Sequence, residues 1–220
     1  MIEAVVSLQK PVGATRADTT PCVFIVDDDI SVRESLELLI KAAGWQAVPF
    51  ACAAEFLAYP KVSTPSCLVL DIGLPDVSGL ELQDRFAPDA ATTPIVFITG
   101  VVDIPMTVRA MKAGAMEFLT KPVCDDALLS AIERALEVSR TELRREAEMA
   151  ALRARHASLT RREVEVMSLV VAGRLNKLVA FELGISEITV KAHRGSLMRK
   201  MMARSLPDLV KMAARLGMAA

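Results

Sequence analysis

A chain of 220 residues, 52% apolar and 24% charged, has the make-up of soluble globular material in one or two domains, each able to bury a core. Its net charge of −1 conceals a split: residues 1–138 hold ten Lys and Arg against nineteen Asp and Glu, residues 139–220 sixteen against eight, giving −9 and +8. That asymmetry suggests a metal or phosphate site joined to a binder of polyanions, while no apolar stretch approaches the ~18 residues of a membrane span, and no membrane partner is expected.

The first 20 residues lack the basic start and continuous apolar core of a signal peptide and are expected to form a disordered leader. From Cys22 short apolar runs alternate with amphipathic stretches. A strand over 22–27 precedes a helix from Ser31, a plausible cap, whose apolar face holds Val32, Leu36, Leu39 and Ile40 and which stops at Gly44. Residues 45–50 read as a second strand, 53–58 as a short helix, 68–71 as a third strand and 79–86 as a helix. Residues 95–99, 105–113 and 115–119 complete the series as strand, helix and strand, and a fifth helix starts near Asp125. Five strand–helix units in about a hundred residues imply a doubly wound parallel sheet with right-handed crossovers, for which the flavodoxin-like order 2-1-3-4-5 is the size match.

The fifth helix meets no Gly or Pro between residues 123 and 157. It is expected to leave the first domain as a helical linker over 139–157. Polar Ser139, Glu146 and Arg153 on its seam argue against a coiled coil. From residue 158 all elements are helical: a helix capped by Thr160 runs to Ala172, a second, capped by Asn176, covers 177–183, and 187–201 and 205–215 follow, with Pro207 tolerated in a first turn. A short helix, the turn Gly184-Ile-Ser186 and a longer basic helix make a helix-turn-helix.

The four cysteines, Cys22, Cys52, Cys67 and Cys124, form no CxxC pair and are expected to act as small buried hydrophobes in a reducing cytosol.

Two strands end in carboxylates, one in Asp27-Asp28-Asp29 and the other in Asp71. Open α/β sheets place their ligand sites at the carboxyl ends of strands. If these ends are neighbours, the crowded carboxylates are costly unless a cation sits among them, which makes Asp71 a candidate for phosphoryl chemistry on Mg2+.

The stretches VFIVDDD, CLVLDIGLPDVSGLEL, PIVFITG and DIPMTVRAMKAGAMEFLTKP resemble a response-regulator receiver domain over residues 21–138. LTRRE, GRLNKLVAFELGISEITVKAHR and the surrounding residues 158–220 resemble the DNA-binding domain of the NarL/FixJ (LuxR-type) family. Within that family the stretches resemble the FixJ/StyR type. The resemblance implies a CheY-like receiver with a five-stranded parallel sheet plus an all-α four-helix helix-turn-helix domain. It also implies a cytoplasmic transcription regulator rather than an enzyme.

On that resemblance Asp71 is the nucleophile that takes a phosphoryl group from a sensor histidine kinase. Asp28 and Asp71 bind Mg2+ directly, Asp27 binds it through water and Gly73 through its backbone carbonyl. Thr99 offers a hydroxyl to the phosphoryl group and Lys121 a fixed positive charge. Asp29 reads as a second-sphere or surface carboxylate, and Pro75, Asp76 and Gly79 as loop geometry. Thr99 and Phe118 are the expected switch residues. Met106, Val108, Arg109, Met111 and Lys112 are the candidate face for a homodimer formed on phosphorylation, Met106 and Met111 being equally readable as core.

Helix 187–201 is expected to enter the major groove of promoter DNA with Val190, Leu197 and Met201 buried behind it. By family position Lys191, Ala192 and Gly195 lie nearest base edges, while Lys177, Thr189, His193, Arg194 and Arg199 face phosphates; His193 reads equally as a packed residue. Arg161, Arg162 and Arg174 read equally as a solvated face. RNA polymerase is an implied partner. The chain departs from the family pattern at Gly73, where relatives often carry a larger side chain, and at Val101-Val102, where the FixJ pattern has His-Gly. Neither can orient an attacking water, so slow self-dephosphorylation is expected.

Two other readings of the same residues differ in class. One keeps the fold but makes the protein phosphorylation-independent, with the receiver as a dimerisation or ligand-sensing module; the intact set Asp27, Asp28, Asp71, Thr99 and Lys121 argues against it. The other is a haloacid-dehalogenase-type phosphatase, which needs a second Asp two residues after the nucleophile, where this chain has Gly73.

Overall fold

The structure, a computed structural model, describes residues 20–75, 77–100 and 103–218. All but the last residue of the expected leader, and Asp76, Val101 and Val102, lie outside the described residues. The chain divides into two compact units, Met1–Leu143 and Arg144–Ala220.

In the first unit β1 (Cys22–Val26), α1 (Ile30–Ala42), β2 (Gln46–Phe50), α2 (Ala53–Leu57), β3 (Ser66–Asp71), α3 (Gly79–Phe86), β4 (Ile95–Thr99), α4 (Ile104–Lys112) and β5 (Glu117–Thr120) alternate as expected. All pairings are parallel, in the order β2-β1-β3-β4-β5. Parallel strands covered on both faces read as unbroken apolar runs, and β1, β3 and β4 are buried along their whole length. Alternate side chains go to opposite faces. Phe24, Val26, Leu68, Leu70 and Phe97 meet α2, α3 and α4, while Val23, Ile25, Val69, Val96 and Ile98 meet α1 and the start of α5 (Asp125–Ala157). Pro49 sits in edge strand β2, where a missing N–H is tolerated.

Local details depart from expectation. Helix α1 starts at Ile30, and its cap is Asp29, whose carboxylate accepts from the Ser31 amide at 2.8 Å. Ser and Asp are comparable caps, so the local pattern alone could not choose between them. Ser139, expected as a polar seam position, is wholly buried: its hydroxyl donates to the Thr92 carbonyl and accepts from the Ser66 amide at 2.9 Å. Of the cysteines, Cys22 and Cys67 are buried as expected, and burial pushes the Cys22 thiol up to about 11 and raises that of Cys67 as well. Cys124 is exposed and Cys52 half-buried, so the expectation of four buried hydrophobes fails for these two.

In the second unit the last turns of α5 are followed by α6 (Arg161–Val171), α7 (Asn176–Leu183), α8 (Glu187–Met201) and α9 (Leu206–Arg215). Thr160 and Glu163 form a capping box on α6, Gly184 closes α7 in the left-handed region at φ 65°, and Ser186 and Ser205 cap α8 and α9. Leu175, not Asn176, holds the cap position of α7. Leu152, Val166, Met167, Val170, Val179, Val190, Leu197, Met201 and Leu209 make the core. The buried stripe of α8 is the one its spacing predicts.

Candidate functional site

Parallel register brings the chemistry to one edge of the sheet. Val26 pairs with Leu70, Asp71 with Ile98 and Thr99 with Thr120. Asp27 just beyond β1, Asp71 and Thr99 at the ends of β3 and β4, and Lys121 just beyond β5 therefore stand at the same level. The loop after β3 is held in place by Gly79. A Cβ there would lie 2.6 Å from the Asp71 carbonyl oxygen and 2.9 Å from Ile72 Cα, so only glycine lets α3 begin this close to the strand end. The Gly79 amide donates to the Ile72 carbonyl at 3.1 Å.

Lys121 Nζ donates to Asp27 Oδ2 at 2.7 Å and to Asp71 Oδ2 at 2.9 Å. Asp27 is completely buried, Asp71 and Thr99 are buried, and Asp28 faces solvent. The second oxygen of each buried carboxylate is also used: Asp27 Oδ1 accepts from the Asp29 amide at 3.0 Å and Asp71 Oδ1 from the Gly73 amide at 3.1 Å. Lys121's own amide donates to the Thr99 carbonyl at 2.7 Å, which ties the lysine to the end of β4. Arg33, which the sequence did not single out, braces the crevice by donating to the Asp27 carbonyl at 2.7 Å.

Asp27, Asp28 and Asp71 each offer a carboxylate oxygen, all within 4.8 Å of one another. Three hard oxygen donors of this kind fit Mg2+, which is bound by one or two carboxylates and keeps several waters. The electrostatics agree with an acid-rich site short of positive charge. Burial raises the Asp27 carboxyl above its ordinary value despite the hydrogen bond from Lys121, and the neighbouring Asp71 charge adds to the rise. For Lys121 burial pushes the other way, but hydrogen bonds to Asp27 and Asp71 outweigh it and hold the ammonium above its ordinary value.

In the second unit the expected DNA-facing residues separate into two groups. Lys177, Lys191, Ala192, Gly195 and Arg199 are exposed, the last four along α8. Thr189, His193 and Arg194 are half-buried. The Thr189 amide donates to the Ser186 hydroxyl at 3.1 Å as part of the α8 cap, and Arg194 Nη1 donates to Asn176 Oδ1 at 2.6 Å, tying α8 to α7. Asn176 thus serves the helix-turn-helix as an acceptor rather than as a cap.

Residues 23–133 match the response regulator receiver domain family, and residues 157–213 match the luxR family of bacterial regulatory proteins. The chain is a response regulator. Nodulation protein W of Bradyrhizobium diazoefficiens is 48% identical over 208 residues, covering 94% of this chain and 92% of that protein. The transcriptional regulatory protein FixJ of Rhizobium meliloti is 42% identical over 191 residues, 87% and 94% of the two chains. The solved structure of the response regulator StyR, 46% identical, superposes with a TM-score of 0.81 over 90% of this chain and all of that one. Two-component regulation through a receiver and a LuxR-type DNA-binding domain is therefore the family to which this chain belongs. Among the described residues no helix is long and apolar enough to cross a membrane.

The response regulator's remaining expected residues lie on α4 and β5. Phe118 is half-buried with its ring 6.3 Å from Phe97, and Met106 packs against the same cluster. Val108, Met111 and Lys112 are exposed, and Arg109 Nη2 pairs with Asp84 of α3 at 3.3 Å. Met106 therefore lies nearer the core than Met111. Ile104, not among the expected residues, is 74% exposed and precedes Val108 and Met111 at the spacing of one helix face. Its signal was that spacing.

Proposed function

We propose that Asp71 of this response regulator accepts a phosphoryl group from the phosphohistidine of a sensor histidine kinase. The observation that carries this is the Lys121 ammonium lying 2.7 Å from Asp27 and 2.9 Å from Asp71 at the carboxyl edge of the sheet. An Asp71 carboxylate oxygen attacks phosphorus and the P–N bond breaks. Its electron pair returns to the imidazole nitrogen and an acyl phosphate O–P bond forms. Mg2+, held by Asp28, Asp71 and the Gly73 carbonyl and through water by Asp27, would supply positive charge to offset that of the phosphoryl oxygens. Lys121 fixes a second positive charge beside the nucleophile, and the Thr99 hydroxyl donates to a phosphoryl oxygen.

The added charge of about −1.5 to −2 gives the switch its energy only if one conformation receives it better. Thr99 and Phe118 change packing in response, and the α4–β5 face, with Met106, Val108, Arg109, Met111 and Lys112, becomes a homodimer surface. Residues 21–138 act as the receiver, 139–157 as a helical connection and 158–220 as the reader of promoter DNA, from which RNA polymerase is recruited and transcription activated in the cytoplasm. Paired domains supply the base and phosphate contacts that one α8 lacks.

The Gly73 position supports a long-lived acyl phosphate. A Cβ there would meet Asp71 Oδ1 at 3.9 Å and Oδ2 at 4.0 Å, so a longer polar side chain would reach the phosphoryl group, and glycine offers none. The test of the whole reading is DNA affinity before and after acetyl phosphate and Mg2+. Affinity rises for the wild type and stays at its resting value for Asp71→Asn. An equal rise in both would contradict the role of Asp71.

A further inference from the structure

Ile188 is 80% exposed in the first turn of α8 and, among the described residues, is not part of the unit's core cluster. It begins a stripe, Ile188, Ala192, Gly195 and Arg199, whose spacing follows one helix face and whose members are all exposed. The opposite face is the buried one, with Val190, Leu197 and Met201. The middle of the exposed stripe is low: Ala192 has only a methyl group, and a Cβ built on Gly195 meets nothing within 4 Å. A groove can therefore approach the helix closely, with Ile188 projecting at one end and Arg199 at the other.

Recognition helices touch base edges mainly with their N-terminal residues. An isoleucine there has neither donor nor acceptor. In the major groove the feature it can distinguish is the thymine C5-methyl group, which offers apolar contact and no hydrogen bond. We propose that Ile188 is a specificity-determining residue that packs on a thymine methyl in each half-site. This deepens the reading of α8 as the DNA-reading helix and rests on it.

The experiment uses the full chain after treatment with acetyl phosphate and Mg2+. Duplexes are selected from a randomised pool, and each thymine of the selected site is then replaced by uracil, which removes the methyl group alone. Binding is compared for the wild type and Ile188→Ala. One thymine per half-site is expected whose replacement weakens the wild type about three- to fivefold, the worth of one buried methyl, and leaves Ile188→Ala unchanged. Equal penalties in both proteins at every thymine, or no penalty anywhere, would overturn the assignment while leaving DNA binding intact. Failure to enrich any duplex would overturn the DNA-binding reading and this inference with it. Because Ile188 is exposed, Ile188→Ala should keep the wild-type melting temperature, and a drop would reassign the side chain to the core.

Discussion

Each unit of this response regulator holds a buried carboxylate against a lysine, and the two pairs behave in opposite ways. In the second unit Glu163 is 4% exposed and serves the α6 cap. Lys200 donates to it at 2.7 Å, with further hydrogen bonds from Ser196 and Thr160, and the Lys200 bond above all lowers its carboxyl to about 2. In the first unit Lys121 is shared between two carboxylates, and Asp27 stays above its ordinary value because burial outweighs that help. A carboxylate whose partners suffice is a structural part. Where burial outweighs a lysine shared between two carboxylates, the charge is a cost to the fold that a bound cation would offset.

The two sites differ most in what their lysines hold in place. Removing Lys121 leaves two buried carboxylates facing each other, so Lys121→Ala should lower the receiver's unfolding free energy by about 3 kcal/mol. Urea unfolding with and without Mg2+ checks it, with partial recovery expected in the metal. An unchanged midpoint would mean that the crevice is not strained by charge.

Glu163 should give a somewhat smaller loss, about 2 kcal/mol for Glu163→Ala, as expected for a hydrogen-bonded charged group. Its carboxyl is lower in the folded chain than in the unfolded one, so its contribution is complete above about 4.5 and disappears as pH falls toward about 2. The second unit of Glu163→Gln should lack that part of the acid dependence, measured as the unfolding midpoint between those values. Identical acid profiles for the two proteins would break the contrast with Asp27.

The smallest expected effect concerns Gly73, beside Asp71. Gly73→Asn would place a polar group near the phosphoryl oxygens and an attacking water. One hydrogen bond of about 1 kcal/mol in the transition state should shorten the acyl phosphate's life roughly fivefold. Loss of the phosphoryl group, followed by mass after donor removal, reads this directly. An equal or longer life in the variant would remove Gly73 from the explanation.

Much of this was written in local patterns. The buried runs that became β1, β3 and β4 each lead to a site residue, and parallel register then carries Asp27, Asp71, Thr99 and Lys121 to one level. The inward stripe of α8 was equally plain. What the sequence hid were contacts between distant residues of equal local merit. Nothing near Ser139 announces that Ser66 and Thr92 will meet it, and nothing near Arg194 announces Asn176. Exposure was partly legible: Cys67 opens an apolar run that the sheet encloses, whereas Cys124 stands before Asp125 and Asp126 at a helix start and is exposed.

The most direct test is the intact mass of the protein after acetyl phosphate and Mg2+. The wild type should gain the mass of one phosphoryl group, Asp71→Asn should gain none, and chelation of the metal should abolish the gain. An unchanged wild-type mass, or an equal gain in Asp71→Asn, would contradict the assignment of Asp71 as the phosphoryl acceptor.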